Sequence, residues 1–214
     1  MRLAGKTIFI SGATSPLGGA IATSCAAAGA RLIISGRNEA NLDRLSAEVG
    51  SAVIERLVLD LDDTKNFQRV ITSLHGRYSI AGFVHAAGLH EIAPLKVTQP
   101  DRIMRSIQVN TIAGIELSRL LAHRRLIDES SGSSHLFLSS VASHKAEPGL
   151  LAYATAKAAL NAASRSLATE LASKKVRVNV LTLGWINTPA AQRTLDAIGA
   201  EHAALQAAKY PLGF

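Results

Sequence analysis

Thr7-Ile8-Phe9-Ile10-Ser11-Gly12-Ala13-Thr14-Ser15-Pro16-Leu17-Gly18-Gly19 is the stretch whose reading decides the fold. A short apolar strand pattern runs into a glycine-containing turn, and the turn opens a segment of helical pattern. Glycines at such a junction let the backbone bend sharply and approach an anionic group, which the helix N-terminus also favours. Glycine is common in any tight loop, so the turn alone is a weak signal; its place between a strand and a helix makes it a candidate pyrophosphate cradle. The candidate residues are Gly12, Thr14, Ser15, Leu17 and Gly18. Ser15 is placed to cap the helix and Pro16 to begin it, where a missing N–H is harmless. The proline ring is expected to narrow the approach and displace the pyrophosphate slightly.

Outward from this turn, strand-like runs alternate with helical patterns. Strands are predicted at 7–10, 31–35, 53–59, 82–85, 134–138 and 176–181, and helices at 16–29, 39–48, 64–75, 101–127 and 151–173. The strands are rich in branched aliphatics and nearly continuous in hydrophobicity, as strands covered on both faces are. Such alternation implies right-handed crossovers and a doubly wound parallel sheet of the α/β class. With no internal repeat, low-complexity tract or linker, residues 1–214 read as one domain.

Composition narrows the function classes. Hydrophobic residues make up 48% and charged residues 18%, which excludes a disordered chain. The lone Cys25 cannot make an internal disulfide, and its Ala-rich surroundings mark it as a small buried hydrophobe. No metal site is expected, because one cysteine and scattered histidines show no ligand spacing. A net charge of +7 raises the question of nucleic acid, but the basic residues are dispersed and aromatics are only 4%. A field attracting an anionic substrate or cofactor is the milder explanation, and no nucleic-acid partner is expected. The start Met1-Arg2-Leu3-Ala4-Gly5-Lys6 has no signal segment, and Lys157, Arg165 and Glu170 interrupt the Ala-rich 150–172 stretch. A cytoplasmic protein with no membrane partner is expected.

The second strand ends at Ser35-Gly36-Arg37-Asn38. An acidic residue near this position would hold the adenine ribose of NAD, whereas a fixed cation suits the 2′-phosphate of NADP. Arg37 can equally be a solvated arginine at a strand end. After the third strand, Asp60 and Leu61 lie where they could border an adenine site, though Asp60 could simply cap a helix.

Tyr153 and Lys157 stand one helical turn apart. A free phenol has a pKa of about 10, and a neighbouring cation is expected to lower it toward the range of an acid–base catalyst. Ser140, thirteen residues earlier, closes a strand at the sheet edge where ligands bind and could hydrogen-bond a substrate oxygen. Taken alone, a Tyr–Lys pair at this spacing more often means only a half-buried tyrosine beside a solvated lysine.

Together these residues resemble the short-chain dehydrogenase/reductase family in its compact form, over residue 3 to the end, with 3-oxoacyl-carrier-protein reductases as the nearest general likeness. Gly12 and Gly18 match the family's glycine-rich segment, with Pro16 at its usual middle glycine. His85-Ala86-Ala87-Gly88 matches its Asn-Asn-Ala-Gly segment except at the first residue. Asn110 matches the asparagine that holds a proton-relay water, and Ser140, Tyr153 and Lys157 match the rest of the catalytic tetrad. Gly184, Ile186 and Thr188 match the nicotinamide loop, where Leu183 replaces the usual proline.

The resemblance implies a Rossmann-type doubly wound parallel sheet in three α/β/α layers, without the usual last helix and strand. Relatives continue past a segment like Pro211-Leu212-Gly213, so a stop at Phe214 is expected to reflect truncation or to leave the sixth strand as an exposed edge. It also implies an oxidoreductase moving a hydride between nicotinamide and a carbonyl or secondary alcohol, with NADP(H) preferred over NAD(H). Cofactor residues would be Gly12, Thr14, Ser15, Leu17, Gly18, Arg37, Asp60, Leu61, Ala86, Ala87, Gly88, Tyr153, Lys157, Gly184, Ile186 and Thr188. The partners implied are a small carbonyl or acyl-thioester substrate and a second copy of the chain, in a homodimer or homotetramer. The substrate pocket is expected from 141–151, from His90, Glu91 and Ile92, and from Trp185 onward. His144 there reads as a surface or packing residue. The competing reading is a non-catalytic NADP(H)-binding sensor or scaffold, which has no need of the Tyr–Lys pair.

Overall fold

The quoted opening strand forms β1 (Thr7–Ser11), buried at every residue. The computed structural model describes residues 3–127 and 131–188, with Ala204 and Ala208. Two compact units divide the chain, Met1–Thr182 and Leu183–Phe214. In the sheet, β1 lies between β2 (Arg31–Gly36) and β4 (Ile80–His85), and the order is β3-β2-β1-β4-β5-β6. The remaining strands are β3 (Val53–Val58), β5 (Ser133–Ser140) and β6 (Val176–Leu183). β1 pairs in parallel with β2 and β4, β2 with β3, and β4 with β5. Strand order therefore reverses between β1 and β4, and such reversals open a crevice at the carboxyl ends of the strands.

Side-chain alternation sorts the helices onto the sheet. Phe9, Phe83 and Phe137 gather with buried residues of α3 (Phe67–Thr72), α5 (Ala113–Leu121) and α6 (Leu151–Leu171) in the main core. Ile8, Ile10, Leu32 and Ile34 are also buried. On that side α1 (Pro16–Ala27) packs on β1 and β2, and α2 (Glu39–Val49) on β2 and β3. Burying the four phenylalanines Phe9, Phe67, Phe83 and Phe137 stabilises this arrangement by about 2 kcal/mol per ring. Cys25 is half-buried, and burial raises its thiol pKa, which suppresses thiolate chemistry.

Local signals explain the helix ends. Ser15 Oγ accepts from Gly18 N–H at 3.0 Å, with Pro16 at the first helical position, as the sequence predicts. Asn38 caps α2 in the same way, accepting from Asn41 N–H at 2.9 Å. The first helix stops at Ala27, and Gly29 takes φ 88° just beyond it. The helix predicted over 101–127 is not continuous. α4 (Pro100–Ile107) passes into a widened π turn, Gln108–Ile112, before α5 begins. Tertiary contacts favour the wide turn over the regular spacing that the sequence suggests. Thr111 Oγ donates to Ala156 O of α6 at 2.7 Å, and the Asn110 side chain turns wholly inward.

Among the described residues no helix is long and apolar enough to cross a membrane, and no group of three or more ligating side chains could hold a metal ion. The segment around Pro211-Leu212-Gly213 lies outside the described residues.

His135 of β5 is fully buried, edge-to-face with Phe83 at 5.4 Å and 2.8 Å from Ser118 Oγ. Burial pulls its pKa down to about 4, so it stays neutral in the fold while the unfolded imidazole titrates near 6.5. Below about pH 6.5 the unfolded chain binds a proton that the folded chain refuses, so stability declines as pH falls from 6.5 toward 4. Urea midpoints taken across that window should drop with pH. His135→Gln should remove up to about 1.4 kcal/mol per pH unit of that slope.

Candidate active site

The crevice begins where two turns meet. Gly12 has φ 69°, and a Cβ there would stand 2.5 Å from Ala87 Cα, so only glycine admits the turn after β4 so close to the turn after β1. Gly18 is held equally tightly, since a Cβ on it would lie 2.2 Å from Gly12 O. Ser15 closes the loop by donating from Oγ to Gly12 O at 2.8 Å. These contacts strip the loop of side-chain bulk and leave its backbone open to an anion at the start of α1.

From that loop a groove of about 250 Å³ runs over the ends of β1, β2 and β3. Of the residues predicted for a dinucleotide, it brings together Gly12, Thr14, Ser15, Arg37, Asp60, Leu61, Ala87 and Gly88. Leu17, Gly18 and Ala86 do not line it. Pro16 is not part of this lining; it lines a second hollow with Gly19, Asn41 and Arg44, which also takes in Thr14 and Ser15. The helix-capping alternative for Asp60 is not what forms: its carboxylate accepts from Asp62 N–H at 3.1 Å within the turn after β3, Asp63 caps the short helical turn Thr64–Asn66, and Asp60 borders the groove.

Sequence reasoning missed a second cation here. Arg105 of α4 lines the groove and pairs with Asp62, its Nη2 3.0 Å from Oδ2. The two residues are 43 apart in sequence, and only the crossing of α4 over the end of β3 joins them. Ser35, Gly36, Leu59, Leu89 and Val109 complete the lining.

The groove leads to a tighter polar cluster. Lys157 is 3% exposed, and its ammonium donates to Leu138 O at 2.8 Å, anchoring α6 to β5. Burial lowers its pKa to about 8, so it is still largely charged at neutral pH. Its Nζ stands 5.6 Å from the Tyr153 ring centre. The Ser140 hydroxyl lies near enough to the Tyr153 phenol to act on its pKa, and Ser140 Oγ accepts from Ala142 N–H at 3.2 Å. The pKa of Tyr153 moves opposite to expectation. Burial raises it, and the influence of Ser140 only partly offsets that rise. The expected lowering by Lys157 takes no part in the shift; its ammonium is turned to Leu138 O.

Asn110 is wholly buried. Its Oδ1 accepts from Leu89 N–H at 3.2 Å, and its amide donates to Leu89 O at 3.0 Å and Ser106 O at 2.9 Å. Gly88 sits between the two halves of the cluster: a Cβ on it would be 3.1 Å from Asn110 Oδ1 and 3.6 Å from Lys157 Nζ. The turn after β4 therefore belongs both to the groove and to the polar cluster.

Two loops frame Tyr153. His90 packs edge-to-face on its ring at 4.7 Å. Ala93 N–H donates to Gly149 O at 3.0 Å, and Gly149, at φ 83°, lets Ile92 approach. The predicted pocket segments 90–92 and 141–151 thus meet. Gly184, Ile186 and Thr188 belong to the unit Leu183–Phe214, in which Trp185 and Ile186 are exposed.

This arrangement can hold an extended anionic cofactor in the groove and handle a proton at Tyr153. The family model described as enoyl-(acyl carrier protein) reductase matches residues 12–213. The chain is similar to an NADP-dependent (R)-specific alcohol dehydrogenase of Lentilactobacillus kefiri, 28% identical over 99% of this chain and 84% of that protein. It is also similar to an L-xylulose reductase of Caenorhabditis elegans, 33% identical over 81% of this chain and 69% of that protein. A solved structure of a short chain dehydrogenase/reductase family protein superposes with a TM-score of 0.78 at 25% identity, covering 92% of this chain and 81% of that one.

The contact between Gly12 and Ala87 is directly testable. Gly12→Ala combines a left-handed backbone with an overlap against main chain, and should cost about 2–4 kcal/mol. A fall in Tm of roughly 5–15 °C by calorimetry is expected.

Proposed function

Because the chain belongs to the short-chain dehydrogenase/reductase family, oxidoreductases that act on alcohol and carbonyl groups with NAD(P), we propose that it is an NADPH-dependent carbonyl reductase with Tyr153 as proton donor. The observation that carries this reading is that Asn110 and Lys157 meet at Gly88, a residue of the groove lining, with Tyr153 beside Lys157 and Ser140 beside Tyr153. When bound, the nicotinamide supplies the hydride.

The chain's own residues do the rest. A phenol with a raised pKa is protonated at neutral pH, the form that can give a proton to a carbonyl oxygen as charge develops there. Ser140 offers that oxygen a second hydrogen bond, and the Lys157 ammonium stabilises the phenolate left after transfer. The Asn110 side chain is spent on Leu89 and Ser106, so its role is to hold the Gly88–Leu89 turn, and a relay water would bind its backbone carbonyl.

Thr14, Ser15, Gly88 and the neighbouring backbone would hold the pyrophosphate and nicotinamide ribose, with Lys157 on the ribose hydroxyls. Ala86 and Ala87 would pack beside them, and Leu17 and Gly18 would set the α1 start. Asp60 and Leu61 would border the adenine. Arg37 would take the 2′-phosphate and so favour NADP(H). The family resemblance assigns Gly184, Ile186 and Thr188 to the nicotinamide loop.

For substrate, relatives named for an alcohol and for xylulose favour small ketones and ketoses, with a 3-oxoacyl thioester as a further candidate. A homodimer or homotetramer in the cytoplasm completes the reading. The alternative of a non-catalytic NADP(H) sensor would retain the groove but has no use for a buried Lys157 beneath a phenol.

NADPH oxidation followed at 340 nm over small ketones, ketoses and 3-oxoacyl thioesters is the test. Tyr153→Phe should lower kcat by roughly 100-fold or more while NADPH binding by fluorescence stays within about threefold. Tight NADPH binding without turnover on any of them would instead favour the sensor. Arg37→Asp should raise the KM for NADPH by roughly tenfold and narrow its advantage over NADH, read in the same assay.

A further inference from the structure

His85 stands where the family pattern has asparagine, and the mechanism above makes no use of it. Its side chain is fully buried at the end of β4, beside the reversal of strand order. Nδ1 lies 2.8 Å from the hydroxyl of Ser11, its register neighbour on β1. Phe137, its register neighbour on β5, packs against the ring at 6.0 Å. On the helical side the ring meets Gly114, where a Cβ would stand 2.8 Å from Cδ2 and 3.0 Å from Nε2. Nε2 is enclosed and faces the backbone of Val109 and Asn110, without reaching regular hydrogen-bond geometry.

That backbone belongs to the widened turn. Ala113 N–H bonds Gln108 O, five residues back, so the carbonyl of Val109, four back, loses that donor. A buried carbonyl without a donor is costly, and His85 Nε2–H is the polar group beside it. The imidazole is also held neutral: burial, aided by the Lys157 charge, takes its pKa to about 3 against the pull of the Val109 and Asn110 backbone. A neutral ring has one N–H. In the tautomer whose Nδ1 accepts from Ser11 Oγ–H, that proton sits on Nε2 and faces the turn.

We infer that His85 is a positioning residue that holds the 108–112 turn open, and through it sets Asn110 against Leu89 and Gly88. Closing the turn to α-helical spacing would rotate the residues on one side of it by about 100° relative to the other, withdrawing the Asn110 side chain from Leu89. His85 is therefore linked to the active site through backbone and never touches the substrate. The inference rests on the catalytic reading above only in its kinetic part.

The structural part is read without turnover. In His85→Phe, which keeps a ring but no donor, amide hydrogen exchange across 109–114 should quicken by about tenfold or more. His85→Asn, which restores a donor, should return it to within about threefold of wild type. Ser11→Ala, a milder change that spares the ring, should move exchange in the same direction as His85→Phe and covers the case in which His85→Phe does not fold. In steady state, His85→Phe should lower kcat by roughly 10- to 100-fold with NADPH affinity little changed. Its loss should nearly vanish in an Asn110→Ala background, because both act through one turn. Wild-type exchange in both His85→Phe and Ser11→Ala, or a loss that multiplies fully with that of Asn110→Ala, overturns the inference. Absence of any carbonyl turnover would count against the catalytic reading alone, since the exchange result stands by itself.

Discussion

Between Gly12 and Ala87 there is no room for a side chain, and the carboxyl edge of the sheet is organised around that contact. The turns after β1 and β4 leave the sheet where strand order reverses, and they can lie side by side only because one of them lacks a Cβ. Their closeness sets where Gly88 lies. Gly88 in turn fixes the spacing between the groove and the cluster of Asn110 and Lys157. A local steric constraint thereby determines the distance between groove and polar cluster.

The second organising fact is electrostatic. Lys157 is almost wholly buried, yet its environment offers one carbonyl and no carboxylate partner among the described residues. Such an ion is destabilised in the fold, as its lowered pKa records, and its charge is correspondingly strong toward anything placed near it. The phenol of Tyr153 is desolvated by the same burial and stays neutral. Burial thus keeps a neutral phenol beside a lysine that is largely charged at neutral pH. The two buried histidines His85 and His135 follow a related logic, each kept neutral by burial with one serine hydroxyl as partner. They are polar groups that the sheet interior tolerates because their charge is suppressed.

Some of these features could be read in advance from neighbouring residues. Ser15 capping α1 and Pro16 starting it follow from side-chain chemistry acting within three residues. The Tyr153–Lys157 spacing on one helix face has the same origin. Others could not. The π turn at Gln108–Ile112 sits inside a pattern that looks continuously helical, because what opens it lies on β4 and α6. The Arg105–Asp62 pair depends on α4 crossing the end of β3. The direction of the Tyr153 shift depends on burial, which i, i+4 spacing does not report.

The division between the two sources of information follows from range. Strand and helix order, the doubly wound parallel sheet, the glycine turn and the identity of the polar side chains were all determined by the sequence itself. They arise from backbone preference, hydrophobic period and short-range sterics. Which groups are desolvated, which hollow Pro16 lines, and how His85 comes to sit on the turn that carries Asn110 were decided only by tertiary structure. Burial and long-range contact arise only when segments dozens of residues apart pack together, and those govern pKa and side-chain orientation.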